Sequence, residues 1–281
     1  MTATPNEMMT IAASRLLTAK DVCFVGIGAP SAACNLARLT HAPDITLIYE
    51  SGTIGTRPNV LPLSIGDGEL SDTALTTVSV PEMFRYWLQG GRVTIGFLGA
   101  AQLDARGNIN TTVIGDYKKP KVRLPGGGGA PEIATQAQEI FITARQAKRA
   151  FVKTIDFVTS LGHGAPGETR RTYDVETKGP TRLITDLALW TMLDKDGRSA
   201  HDEGFDARRA EFTVVSLHPG VTRAALEETV GWPVCYADKV GLEVTETAPA
   251  TDEELSVLRE LQARTKAAHE RGKVAANEPA E

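Results

Sequence analysis

The stretch from Asp21 to Gly52 constrains the fold more than any other. Asp21-Val22-Cys23-Phe24-Val25-Gly26-Ile27-Gly28 is an apolar run that ends in glycines, which predicts a buried strand followed by a turn. Pro30 to Thr40 reads as a helix with a proline in its first turn. A second apolar run, Ile45-Thr46-Leu47-Ile48-Tyr49, then leads straight to Glu50-Ser51-Gly52. Two short buried strands joined by one helix favour a parallel sheet. The prediction is an α/β fold: an open, mostly parallel sheet flanked by helices. Such sheets bind ligands at the carboxyl edge of the strands. Glu50 falls at that edge, and Ser51-Gly52 forms the turn beyond it. A partly desolvated carboxylate in that position suits a nucleophile. The segment by itself reads more readily as a strand-end glutamate that points to solvent.

The rest of the chain supplies further elements. Asn6 to Thr18 has helical spacing. Residues 53–79 are rich in Gly, Pro, Ser, Asp and Thr and read as a long loop of the functional kind. Pro81 to Gln89 predicts a short helix, with Phe84, Trp87 and Leu88 as packing residues. Strands are predicted at Val93–Leu98, Glu139–Thr143, Phe151–Val158, Arg182–Asp186 and Phe212–Leu217, and a helix at Val221–Val230. Thr251 with Glu254 forms a capping-box pattern at the head of a terminal helix. Ala275 to Glu281 reads as a disordered tail. The division is therefore one domain over 1–250, with a C-terminal helix and tail over 251–281.

Bulk properties narrow the function. With 281 residues the chain can bury a full α/β core. The net charge of -5 and the lack of a basic block argue against nucleic acid as a partner. No apolar run is long enough for a membrane span, and no secretory leader is evident. Three cysteines, Cys23, Cys34 and Cys235, form neither a CxxC pair nor a Cys/His cluster. A disulfide framework and a metal site are not expected, and a reducing cytoplasm is.

Other segments carry possible chemistry. Gly126-Gly127-Gly128-Gly129-Ala130 removes every β-carbon ahead of a helix-like segment. A ligand can approach such a main chain, and its N–H groups can serve an anion or an oxyanion. A flexible turn is the plain alternative. The run is not a dinucleotide fingerprint or a Walker A loop, since neither context is present. Gln102-Leu103-Asp104 with Gly107-Asn108-Ile109-Asn110 is dense in amides and reads first as a hairpin with satisfied polar groups. Gly26 and Gly28 either border a ligand or make a tight turn. His163 reads as part of a mobile loop and His218 as a strand-end residue. No GxSxG elbow occurs, so a serine triad is not supported.

Taken in order, these segments resemble the β subunit of the family I CoA-transferases, of the glutaconate CoA-transferase type. The resemblance runs through Ala42-Pro43-Asp44, Glu50-Ser51-Gly52, Gln102-Leu103-Asp104, Gly107-Asn108-Ile109-Asn110 and Ile114-Gly115-Asp116-Tyr117. It continues through Pro120-Lys121, Gly126 to Ala130, Ile133-Ala134-Thr135, Lys153 to Ser160 and Leu183-Ile184-Thr185-Asp186. It covers roughly residues 7 to 235. It implies a partner α subunit of related fold in an α2β2 or higher assembly. It also implies ping-pong transfer of CoA between an acyl-CoA and a small carboxylic acid, a dicarboxylate or a 3-oxo acid. No cofactor would be permanently bound, since coenzyme A enters as acyl-CoA substrate, and no metal would be needed. By resemblance Glu50 is the nucleophile and carries CoA as a glutamyl thioester. Gly127, Gly128, Gly129 and Ala130 are the oxyanion and CoA-binding residues. Gly26, Gly28, Ser51, Gly52, Gln102 and Asn108 are candidates for the substrate pocket. Some relatives of this fold lack the glutamate and hydrolyse CoA thioesters or carbon–carbon bonds instead. Hydrolysis and a non-catalytic CoA-binding partner subunit are the competing expectations.

Overall fold

The structure, a computed structural model, describes residues 2–276. The chain opens with helix α1 (Pro5–Arg15), strand β1 (Val22–Phe24), helix α2 (Ala29–Leu39) and strand β2 (Thr46–Ile48). Strand β3 (Thr53–Ile54), helix α3 (Gly68–Asp72), strand β4 (Thr76–Thr77) and helix α4 (Val80–Glu82) follow, and α4 runs into a π-helical turn at Met83–Leu88. Strand β5 (Ile95–Leu98) precedes two small hairpins. These are β6 (Gln102–Leu103) with β7 (Ile109–Asn110), and β8 (Val113–Gly115) with β9 (Pro120–Arg123). Helix α5 (Ala130–Gln136) leads to β10 (Glu139–Ala144), β11 (Pro180–Thr185), β12 (Ala188–Leu193) and β13 (Glu211–Leu217). Helix α6 (Arg223–Glu227), β14 (Cys235–Tyr236), β15 (Thr245–Glu246) and helix α7 (Asp252–Ala276) complete the described chain.

The main sheet has 11 strands in the order β14-β13-β12-β11-β10-β5-β1-β2-β3-β4, with β15 beside β13. Its centre, β11 through β2, is parallel. β12 reverses direction on one side, and β3 and β4 run antiparallel on the other. This is the open, mostly parallel sheet predicted from the sequence. β10 shows why its strands are apolar throughout: Ile140 and Ile142 enter one core and Phe141 the other, as in strands covered on both faces. One core is built by α1, α2 and α7 against Cys23, Leu47 and Tyr49. The other sets Met83, Leu88, Ile133 and Ala134 against Phe24, Ile48 and Ile140.

β1 connects through α2 to β2 on one side. β5 connects through α5 to β10 on the other side and the opposite face. At such a reversal a crevice opens outside the carboxyl ends of the strands. Helix α5 lies very close to the sheet there. A β-carbon on Gly96 of β5 would come within 2.6 Å of Ile133 Cγ2 and 2.9 Å of Ile140 Cδ1. The bare Gly96 lets α5 settle onto β5, and the start of α5 carries the glycine run.

Several sequence expectations change. Residues 53–79 are not one loop, because β3, α3 and β4 lie within them. The two strands are two-residue pieces held by neighbours, Ile48 opposite Ile54 and Thr53 opposite Thr77, too short to leave a period in the sequence. Phe151–Val158 is not a strand. Phe151 makes only an isolated bridge with Leu103, and its ring stacks 5.7 Å from that of Trp232, so its apolar character serves packing. The helix expected at Val221–Val230 shortens to α6. Helix α7 has its capping box, with Thr251 N–H donating to Glu254 Oε2 at 2.8 Å and Glu254 N–H to Thr251 Oγ1 at 3.2 Å. It is clamped to α1 by Arg15–Glu254 and Arg259–Glu7 pairs at 2.6 and 2.7 Å. It extends through Ala275 and Ala276, where a tail was expected; residues 277–281 lie outside the described chain. Among the described residues no helix is long and apolar enough to cross a membrane.

Gly52 fixes the turn beyond β2. Its φ is 102°, its carbonyl accepts from Val78 N–H at 2.8 Å, and a β-carbon would fall 2.0 Å from Val78 O. Gly52→Ala therefore forces β2 and β4 apart and costs about 2–3 kcal/mol. Calorimetry is expected to show Tm lower by several degrees. An unchanged Tm would mean that the turn relaxes freely.

Candidate active site

Tyr49 is fully buried, and its hydroxyl lies 2.9 Å from Ser31 Oγ on α2. With Tyr49 committed to that face, strand alternation directs Glu50 to the opposite one. There Glu50, half-buried, meets the glycine run. A β-carbon on Gly129 would come 2.9 Å from Glu50 Oε1, 3.2 Å from Glu50 Cδ and 2.7 Å from Phe84 Cζ. The carboxylate, the aromatic ring and the bare α-carbon thus converge on one point. Ser51 Oγ, next in the chain, is buried with no hydrogen-bond partner among the described residues.

The glycine run is anchored at both ends. Gly126 N–H donates to Thr111 O at 2.9 Å, and Thr111 Oγ1 donates back to Gly126 O at 2.8 Å. At the far end Ile133 N–H donates to Gly129 O at 3.0 Å. Between these anchors the N–H groups of Gly127, Gly128 and Gly129 have no acceptor among the described residues. Gly128 has a φ of 50°, and its α-carbon faces open space. Unpaired amides beside an approachable main chain suit a developing oxyanion or a polar ligand arm. Gly26 and Gly28 follow β1 at the same sheet edge, and Gly28 is the N-cap of α2 with a φ of 88°. Val25 N–H donates to Ile48 O at 2.9 Å, which holds the ends of β1 and β2 level.

Residues 6–201 match the Coenzyme A transferase family. The chain belongs to this family. It is 56% identical over 264 residues to the β subunit of 3-oxoadipate CoA-transferase of Pseudomonas knackmussii, covering 94% of this chain and 95% of that protein. It is 30% identical over 251 residues to the β subunit of glutaconate CoA-transferase of Acidaminococcus fermentans, covering 87% and 89%. The crystal structure of glutaconate CoA-transferase from the same organism superimposes with a TM-score of 0.78 at 27% identity, over 92% of this chain and 94% of that one.

In this CoA-transferase chain some predicted site residues have other duties. Ala130 N–H is used within the loop, donating to Gly127 O at 2.9 Å, so it does not serve as an oxyanion donor. Gln102 is buried, and each of its two polar atoms has a partner. Its Nε2 donates to Asp156, and its Oε1 accepts from Asn110 Nδ2 and Asp156 N–H. Asn108 is likewise partnered, donating to Asp104 and Gly164 O and accepting from Gly162 N–H. Both amides hold the β6–β7 hairpin and its turn together, so their first duty is structural. Among the described residues no three His, Cys, Asp or Glu side chains could hold a metal ion. Phe84 is the residue at this site that sequence reasoning took only as packing. Its place depends on the π-turn, which leaves no mark in the hydrophobic period.

His163 is not in a mobile loop. It is 1% exposed, its Nε2–H donates to Pro180 O at 3.0 Å, and its Nδ1 has no partner among the described residues. Arg106 and Arg170, whose guanidiniums bond to backbone carbonyls of this segment, hold the loop. Burial, with smaller repulsion from Arg170 and Arg106, pushes the imidazole down to about 4. The folded state therefore keeps His163 neutral, while the unfolded chain takes up a proton near the ordinary value of 6.5. The resulting stabilisation is complete above pH 6.5 and lost as pH falls toward 4, a change of about 3 kcal/mol. His163→Gln is expected to flatten the urea midpoint between pH 6.5 and 4. A wild-type midpoint already flat across that window would exclude this linkage.

Proposed function

We propose that this chain is the β subunit of a two-chain CoA-transferase, and that Glu50 accepts CoA covalently from an acyl-CoA and passes it to a 3-oxo dicarboxylic acid. The convergence of the Glu50 carboxylate with the glycine run at Gly129 carries the reading. The 3-oxoadipate enzyme, similar over 94% of this chain, supplies the substrate class. A Glu50 oxygen attacks the thioester carbonyl, and the electron pair of that carbonyl moves to its oxygen. Collapse breaks the carbon–sulfur bond and leaves a mixed anhydride and CoA thiolate. The thiolate then attacks the glutamyl carbonyl, expels the donor carboxylate and leaves a glutamyl–CoA thioester. An acceptor carboxylate runs both steps in reverse. Each step passes through a tetrahedral oxyanion, to which the unpaired N–H groups of Gly127, Gly128 and Gly129 can donate. Losing one such donor typically costs about 10²–10³ in rate. In this reading CoA is a substrate and no resident cofactor is required. The free thiols Cys23, Cys34 and Cys235 accord with a cytoplasmic enzyme.

The test is to mix the assembled two-chain enzyme with acyl-CoA, reduce with borohydride and map the modified peptide. Reduction at Glu50 is expected, together with CoA transfer that requires an acceptor acid. A modified residue elsewhere would overturn the assignment. The isolated chain is expected to lack transfer activity. Full turnover without a partner subunit would refute the two-chain reading.

A further inference from the structure

Phe84 stands beside the proposed nucleophile, and its position is strongly determined. The π-helical turn Met83–Leu88 closes with Gln89 N–H donating to Phe84 O at 2.8 Å. π-turns are rare and re-aim side chains, frequently at functional sites. Here the turn directs the half-buried ring across the sheet face. The ring meets Phe24 edge-on at 5.9 Å, and its tip lies at Gly129, the point that also faces Glu50. The end of the turn is tied to α5, because Gln89 Nε2 donates to Glu132 Oε1. Ring and glycine run are thus held together, with the Glu50 carboxylate beside them. The Phe84 side chain has no polar atom, so it can neither donate to a substrate nor orient a water.

We propose that Phe84 is the water-excluding wall of the covalent intermediate, and that it sets the balance between CoA transfer and hydrolysis. The proposal rests on the reading of Glu50 given above. While the glutamyl thioester awaits its acceptor, water is a competing nucleophile at high concentration. In hydrolysis the water oxygen bonds to the glutamyl carbonyl carbon and the carbon–sulfur bond breaks. One proton of the water goes to the CoA sulfur and the other to solvent, and Glu50 returns as a carboxylate. No co-reactant other than water is needed, and the N–H donors that assist the acceptor would assist water as well, so access of water to the carbonyl controls how far hydrolysis competes. An apolar ring packed at Gly129 removes the volume from which water would approach that face of the carbonyl.

The experiment uses the assembled two-chain enzyme carrying Phe84→Leu or Phe84→Ala. Acyl-CoA is added without acceptor, and the lifetime of the CoA adduct on Glu50 is followed by intact mass. The hydrolysis-to-transfer ratio is then measured with acceptor present. Phe84→Ala is expected to form the adduct, shorten its lifetime at least tenfold and raise the ratio by a similar factor. Phe84→Leu, which keeps apolar bulk, is expected to stay within a few-fold of the wild type. Where Phe84→Ala fails to assemble, Phe84→Leu and Phe84→Val take its place, and lifetimes that fall with side-chain volume support the wall. Equal lifetimes across the variants overturn it while leaving Glu50 as the nucleophile. An adduct in the unmodified enzyme that maps away from Glu50 overturns the nucleophile assignment as well.

Discussion

Glu50→Gln is expected to lower CoA transfer by at least about 10³-fold and to abolish the covalent CoA adduct. Glutamine keeps the shape of the side chain but presents an amide, whose nitrogen lone pair is delocalised and whose oxygen is a poor nucleophile. Packing around position 50 changes little, because glutamine has nearly the same size and shape as glutamate. Assembly and Tm should therefore stay close to wild type, which separates chemistry from folding. Losing a covalent nucleophile in other enzymes costs up to about 10⁶ in kcat, and binding and oxyanion donors leave a residue of catalysis behind. An initial-rate assay of the complex with a labelled acceptor measures the effect. Activity within tenfold of wild type would move the nucleophile to another chain and leave this one a binding partner.

The second large effect is expected from Gly129→Ala, the smallest change that can be made in the glycine run. The added methyl would lie 2.9 Å from Glu50 Oε1 and 2.7 Å from Phe84 Cζ, inside van der Waals contact with both. Phe84 is backed by Phe24 and the π-turn, so the carboxylate is the group that yields. Displacing a reacting group by about 1 Å costs roughly 10² in rate, and kcat should fall by that order. KM for acyl-CoA should change much less, because the open side of the loop at Gly128 is untouched. Steady-state kinetics of the complex decide the point. Unchanged kcat would mean that the carboxylate reacts from a position away from Gly129.

Much of the central fold was legible in the sequence. Two buried strands around a helix, from Val22 to Ile48, leave a clear local signal because each strand is an apolar run covered on both faces and α2 is buried from Pro30 to Ala37. β10 and β13 were legible for the same reason. β12 was missed, although Ala188–Leu193 is as buried as its neighbours. The turn before it, Asp186-Leu187, has no glycine or asparagine. It is closed instead by Thr185 Oγ1, which accepts from Ala188 N–H at 2.9 Å, a device that leaves no turn dipeptide to read. Phe151–Val158 erred in the other direction, since apolar residues that pack beneath loops imitate a strand.

The candidate site divides along the same line. Glu50 at a strand end and the bare glycine run were both visible as local patterns. Gln102 and Asn108 looked like pocket residues because amides are versatile, and only the packed structure reveals that they brace the β6–β7 hairpin and its turn. Phe84 looked like core because nothing in a hydrophobic period records a π-turn.

The sequence by itself determined which segments bury which faces, because apolar spacing is a local property that neighbouring residues write together. It also determined that a carboxylate ends one of those strands. Only the tertiary structure decided that positions 50, 84 and 129 meet. That meeting depends on β5 pairing on the far side of β1 from β2, and on α5 settling against Gly96. Both are choices of packing between distant segments, made by shape and burial across the whole sheet.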